Sequence, residues 1–250
     1  NTALQMYGSI SRGYKTGGFP NINATNSAQY TAVTQESNTA YELGVRGGFS
    51  AFDIDLSTFY YDYKNKQIRG RILAGIFGAS ESLINVPKAR SLGAEFNITA
   101  RAYDGLQIRA GLQYLDTKVT SSFVNYDPFG AVVNFDGERF PFSPKFTLTT
   151  GIRYEFDTAH EMKAFVSLDD RYQTKTTSAF GNNDLVYIKG YNILNAEAGL
   201  TAPDGRWKAS VFGQNILNQY YWTDTFRQID NLSRHVGAPA TYGVRISFKM

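Results

Sequence analysis

Cysteine is absent from the 250 residues, and histidine and tryptophan occur twice each. Without thiols there can be no disulfides and no thiolate metal sites, and two imidazoles give no transition-metal cluster. Lack of cysteine is compatible with an oxidising envelope compartment. No run of about 18 apolar residues occurs, which excludes a spanning helix. Charge is nearly balanced: Lys+Arg 25 against Asp+Glu 22 leaves +3, too small a bias to point to nucleic acid. The glycine-rich GYKTGGF (Gly13–Phe19) lacks the G-x-x-x-x-G-K-[ST] spacing of a phosphate loop. No leader precedes the strand-like opening run ALQMYGSISR, so the true N-terminus is expected to lie elsewhere, in a longer chain.

What is present is Tyr 17, Phe 18 and Gly 23, a composition that favours strands over helices. Apolar and polar residues alternate with period two in ten segments. The closing TYGVRISFKM is the clearest of them. Tyr242, Val244, Ile246, Phe248 and Met250 share one face, and Gly243, Arg245, Ser247 and Lys249 the other. Leu106, Ile108, Ala110, Leu112 and Tyr114 likewise stand against Gln107, Arg109 and Gln113.

Short connectors (Ser50–Ala51, Arg101–Gly105, Asp157–Glu161, Thr201–Arg206) alternate with long ones near Gly13–Asn38, Asn65–Pro87, Val119–Ser143, Thr174–Gly190 and Asn215–Pro239. Greek-key sandwiches break such alternation; up-and-down membrane barrels keep it, with short turns periplasmic and long loops outside. Phe49, Phe52, Tyr154, Phe156, Trp207 and Phe248 fall beside the short turns, where an aromatic girdle would meet the lipid boundary. The expected fold is therefore all-β: about ten antiparallel up-and-down strands of a transmembrane β-barrel, apolar toward lipid and polar toward a wet lumen. Glu42, Arg46, Asp53, Asp55, Glu95, Arg109, Arg153, Asp169, Arg171, Glu197 and Arg245 take the lumen parity. Two other readings stay open at this level: a complete ten-stranded barrel acting as a passive channel or surface enzyme, and a soluble all-β binding module.

Six stretches narrow the choice. SRGYKTGGF (Ser11–Phe19), YELGVR with STFYYDYKNKQI (Tyr41–Arg46, Ser57–Ile68), NVPKARSLGAEF (Asn85–Phe96), GERFPFSPKFTLTTGIRYEF (Gly137–Phe156), FGQNILNQYY (Phe212–Tyr221) and GAPATYGVRISF (Gly237–Phe248) occur in one order over nearly the whole chain. Together they resemble the C-terminal part of the barrel of TonB-dependent outer-membrane receptors. The resemblance implies a barrel of about 22 strands plugged by an N-terminal domain, with residues 1–250 forming its last ten strands. It implies an outer-membrane protein of a Gram-negative bacterium, not an enzyme, importing a scarce nutrient such as a ferric siderophore. The partners implied are outer-membrane lipid, the assembly machinery, and the TonB energy-transducing complex, contacted through the absent N-terminal part; no cofactor is implied. Gly243, Ile246 and Phe248 fit the family's assembly signal, set two residues in from Met250. Ala240 stands where the family usually has Arg. The ten strands are expected to form an open, curved sheet rather than a sealed cylinder.

Candidate ligand contacts lie in the last long connector, NQYYWTDTFRQIDNLSRH (Asn218–His235). Guanidinium groups beside aromatic rings suit anionic, ring-bearing ligands, which selects Arg227, Arg234, Tyr221 and Trp222. Tyr220, Tyr221 and Trp222 also suit the outer aromatic girdle, the role favoured for them. His160 reads as a solvated turn residue. His235, near Asp230, has the wrong company for a hydrolytic triad.

Overall fold

The computed structural model describes residues 3–19, 30, 32–73, 79–158, 161–228 and 231–249. The first five strands are β1 (Ala3–Lys15), β2 (Glu36–Gly48), β3 (Phe52–Leu73), β4 (Ala79–Tyr103) and β5 (Leu106–Val119). A small hairpin, β6 (Val124–Tyr126) and β7 (Val132–Asn134), precedes β8 (Phe146–Asp157) and β9 (Lys163–Gln173). A two-residue pair, β10 (Thr176–Thr177) and β11 (Tyr187–Ile188), brackets a short 3-10 turn before β12 (Tyr191–Thr201) and β13 (Trp207–Gln214). The hairpin β14 (Trp222–Gln228) and β15 (Asn231–Val236) leads to β16 (Thr241–Phe248).

Ten strands form one antiparallel sheet in the order β1-β2-β3-β4-β5-β8-β9-β12-β13-β16. Chain order is kept throughout, as an up-and-down wall requires. The sheet is open as expected: β1 and β16 are its two edges, not partners of each other.

Register explains the alternation. Met6, Val45, Leu56, Phe96, Leu112, Leu148 and Tyr172 pair in succession, an apolar row across seven strands. One residue along, Gln5, Arg46, Asp55, Asn97, Gly111, Thr149 and Arg171 pair in the same way, a row of polar residues and glycine. Successive side chains take opposite faces, so the two rows meet different surroundings. Nothing among the described residues covers the apolar one: Met6 is 75% exposed, Leu56 and Leu112 44% each and Tyr172 41%. Burying such a side chain is worth about 1.5–3 kcal/mol. Ten of them half-exposed to water would cost on the order of 10 kcal/mol, comparable to the whole stability of an ordinary domain. Hydrocarbon is the solvent that removes this cost.

Aromatic rings gather at the short-turn end, as anticipated. Phe49 stacks on Phe52 at 4.5 Å, Tyr154 on Phe156 at 5.4 Å, and Trp207 pairs with Phe248 across β13 and β16. Gly105 and Gly205, at φ 75° and 69°, supply the left-handed corner of two of these turns.

One connector differs from expectation. Asn65–Pro87 is not a loop but the far half of a long hairpin, with pairs running from Lys66↔Val86 to Leu73↔Ala79. The ladder skips one step, where Asn65 (φ 53°) lies opposite Pro87, which has no N–H to donate. Beyond that interruption Ile68, Ile72 and Ile84 restore strand-forming sequence. Among the described residues a conventional core lies at this long-loop end, where Val86, Ala89, Val119, Phe123, Phe135, Phe140 and Phe180 form one buried cluster.

The wall makes a direct prediction. Leu112→Arg, on the outward row, should cost about 2–4 kcal/mol in a bilayer and reduce the folded fraction. Gln113→Arg, facing Glu95 on the other side, should be nearly silent. Folded yield in lipid bilayers checks this; equal tolerance at both positions would reject the assignment of faces.

Candidate ligand-binding site

The inward face is charged but matched. Arg46 bonds Asp55 at 2.6 Å, Arg109 reaches Asp169 at 3.1 Å, Arg245 lies 3.4 Å from Glu197, and Arg101 pairs with Asp53. Arg109 and Asp169 lie on β5 and β9, either side of Gly151 on β8. They meet because glycine leaves the space: a Cβ there would lie 2.8 Å from the Asp169 carboxylate. Such solvated pairs contribute about 0–1 kcal/mol each. They make a hydrophilic wall.

Recognition chemistry concentrates at the long-loop end. The β3–β4 hairpin and the β5–β8, β9–β12 and β13–β16 connectors enclose a cavity of about 280 Å³. Arg69 and Arg71 from β3 and Arg227 from β14 line it, with Asp224, Tyr126 and the rings of Phe123, Phe135, Phe142, Phe180 and Phe226. Arg69 and Arg71 are two residues apart on a strand and so share a face. The four segments are tied together. Arg71 donates from Nη2 to the Arg227 carbonyl at 3.2 Å and from its backbone N–H to Asn125 Oδ1 at 3.3 Å. The Ser178 hydroxyl donates to the Thr225 carbonyl. Phe142 N–H donates to the Thr177 carbonyl at 2.7 Å. Gly181 N–H donates to Glu138 Oε2 at 2.8 Å. Burial pushes the Glu138 carboxyl above the ordinary range, and the Gly181 bond draws it partly back.

The residues selected from the last connector separate. Arg227 lines the cavity, its guanidinium 5.1 Å from the Phe129 ring centre. Arg234 stacks on Trp222 at 4.1 Å. Tyr221 packs on Tyr191 at 4.5 Å, its ring close over Gly237. His235 faces Asp224 across the hairpin at 3.7 Å and lies 5.1 Å from the Phe226 ring. His160 and Asp230 lie outside the described residues. Gly243 sits beneath the Phe212 ring, while Ile246 and Phe248 stand exposed on the outward face. Arg69, Arg71 and Phe142 escaped the sequence reading. Reading QIRGRIL as strand would have put both arginines on one face of a hairpin tip.

A ten-stranded, order-preserving sheet with uncovered apolar side chains outside and ion pairs inside is the wall of a membrane β-barrel. The sequence matches the family model described as "TonB dependent receptor-like, beta-barrel" over residues 1–216. The chain belongs to that family, whose barrels reside in the outer membrane of Gram-negative bacteria. Its fold is similar to that of the ferric yersiniabactin uptake receptor of Yersinia pestis, with TM-score 0.76, 20% identity, and coverage of 97% of this chain and 34% of that one. A copper transporter gives TM-score 0.71 at 14% identity, over 98% of this chain and 37% of that one. The ferric preacinetobactin receptor of Acinetobacter baumannii gives 0.67 at 18%, over 97% and 34%. The chain thus spans about a third of the length of these structures.

Glu138 yields a pH prediction. Its raised pKa means that it favours the closed loops below the ordinary glutamate value of about 4.3. That contribution is lost as pH rises through the raised value. Hydrogen-exchange protection of the Gly181 amide, corrected for intrinsic rate, should fall over that interval. In Glu138→Gln, which keeps an acceptor, it should stay flat; a flat wild-type profile would contradict the assignment.

Proposed function

We propose that these 250 residues form the C-terminal part of the barrel of a longer receptor that imports an anionic, ring-bearing metal chelate, with a ferric siderophore the foremost candidate. The observation that carries this reading is the cavity between the outer loops, where Arg69, Arg71 and Arg227 meet aromatic rings. Guanidinium groups offer forked donors to carboxylate or catecholate oxygens, and aromatic faces accept planar ligands. Two of the similar structures are named as receptors for ferric chelates, which supports the same cargo class here. Energy coupling would come from the TonB complex acting on a plug domain outside residues 1–250. Lipid contacts the outward rows, and the assembly machinery reads Gly243, Ile246 and Phe248.

In this reading Arg227 contacts the ligand, while Arg234, Trp222 and Tyr221 support the loop that presents it. The alternative of a complete ten-stranded channel is disfavoured by the unpaired edges of β1 and β16. A barrel gains its stability by leaving no edge in lipid.

Arg71→Ala and Arg227→Ala, made in the whole receptor, should each weaken chelate binding by about 1–3 kcal/mol, the range of a charge-assisted hydrogen bond. Arg234→Ala should weaken it less. Uptake of labelled ferric chelate by cells with matched surface receptor checks this. Wild-type uptake by the Arg71→Ala/Arg227→Ala pair would reject the cavity as the ligand site.

A further inference from the structure

Six described non-glycine residues have φ in the left-handed region: Asn65, Phe142, Glu161, Asn182, Asn215 and Asn218. Four are asparagine, the side chain that tolerates this conformation best after glycine, and Glu161 belongs to the short β8–β9 turn. Phe142, at φ 55°, is the one bulky aromatic residue among them. Its Cβ crowds the backbone there, so the turn would form more readily with asparagine or glycine.

Burial does not explain the choice. Phe140, two residues earlier, is 7% exposed and belongs to the buried cluster, whereas Phe142 is 49% exposed and lies outside it. The backbone around Phe142 is nonetheless held firmly. Its N–H donates to the Thr177 carbonyl at 2.7 Å, Ser143 N–H donates to Thr176 Oγ1 at 2.9 Å, and Arg139 Nη2 donates to the Ser143 carbonyl at 3.2 Å. Pro141 and Pro144 flank the segment and limit its freedom further. A strained position, fixed on both sides, presents a half-exposed aromatic ring outside the buried cluster, and that ring lines the cavity with Arg227 and Phe226.

We propose that Phe142 is a ligand-contacting residue that sets specificity. Its left-handed turn places the ring against the planar part of a bound chelate, favouring ring-bearing over aliphatic complexes. The inference rests on the reading of the cavity as the ligand site and adds the residue that discriminates between ligands there. Offset or edge-on ring pairs contribute beyond the area they bury, so removing one partner should lower affinity by roughly tenfold.

The test uses the whole receptor in detergent and two anionic probes, the iron(III) complex of 2,3-dihydroxybenzoate and iron(III) citrate. Phe142→Asn keeps a residue that accepts left-handed φ but removes the ring; Phe142→Tyr keeps the ring. The wild type should bind the aromatic complex more tightly than the citrate complex. Phe142→Asn should lose about tenfold on the aromatic probe and less than twofold on citrate. It should unfold at a temperature no lower than wild type, and Phe142→Tyr should retain the preference. Equal loss on both probes would overturn the role of Phe142, and so would wild-type affinity of Phe142→Asn on both; weak binding by Arg227→Ala in the same assay would then spare the cavity. Failure of the wild type to bind either probe would overturn the cavity reading and this one with it.

Discussion

Hydrocarbon offers no partner to a backbone N–H or C=O, and the rest of the structure follows from that constraint. Each unsatisfied group costs several kcal/mol, so a strand can cross only with both neighbours in register. The ladders from β1 to β16 meet the requirement at every interior strand. Fixing the ladder fixes side-chain direction as well, since a slip of one residue would move a whole apolar row to the other face. The row from Met6 to Tyr172 and the row from Gln5 to Arg171 are thus two consequences of one register. Lipid selects the composition of the first, and water and mutual pairing select that of the second.

Among the described residues the wall has no second layer to pack against, so the usual core appears where the loops turn back on themselves. Phe123, Phe135 and Phe180 pack with ring centres 5.2–6.2 Å apart, joining the β5–β8 and β9–β12 connectors. The first long connector is tied in by polar contacts instead. Gln67 donates from Nε2 to the Thr16 and Thr34 carbonyls, and Asn85 both accepts from and donates to Thr34. Glu36, nearby, lies 3.8 Å from Lys66, whose ammonium sits over the Tyr63 ring at 3.8 Å.

The wall was legible in the sequence because its constraint is binary. Lipid or lumen dictates apolar or polar at every second residue, and a stretch such as LQIRAGLQY shows the period directly. The motif NVPKARSLGAEF was legible as a resemblance, and the structure supplies physical reasons for it. Asn85 bonds across the hairpin to Asn65, Ala89 is wholly buried beneath the loops, Gly93 makes room for the Phe59 ring, and Glu95 bonds Gln113. The loop site was far less legible. Arg227 stands out in the sequence as a candidate by its company of aromatic residues, but Arg69 and Arg71 line the same cavity only because β3 and β4 continue beyond Asn65. The strained φ of Phe142 is a tertiary outcome of the clamp around it, and no local pattern in FPFSP announces it.

This difference in legibility has a functional counterpart. A lipid-facing position needs an apolar side chain of almost any shape, and a lumen position needs a polar one with a neighbour to pair. Such rules preserve residue class rather than identity, which is how walls of the same shape persist at 20% identity or less. The loops obey neither rule. Their contacts are particular hydrogen bonds and ring packings around a small core at the long-loop end, to which Val86, Ala89 and Val119 of β4 and β5 contribute. Loop residues outside that core can therefore change without disturbing the ladder. A scaffold of this kind can hold its fold while its loops change, which is why the proposal about a ligand is argued from the loops and not from the barrel.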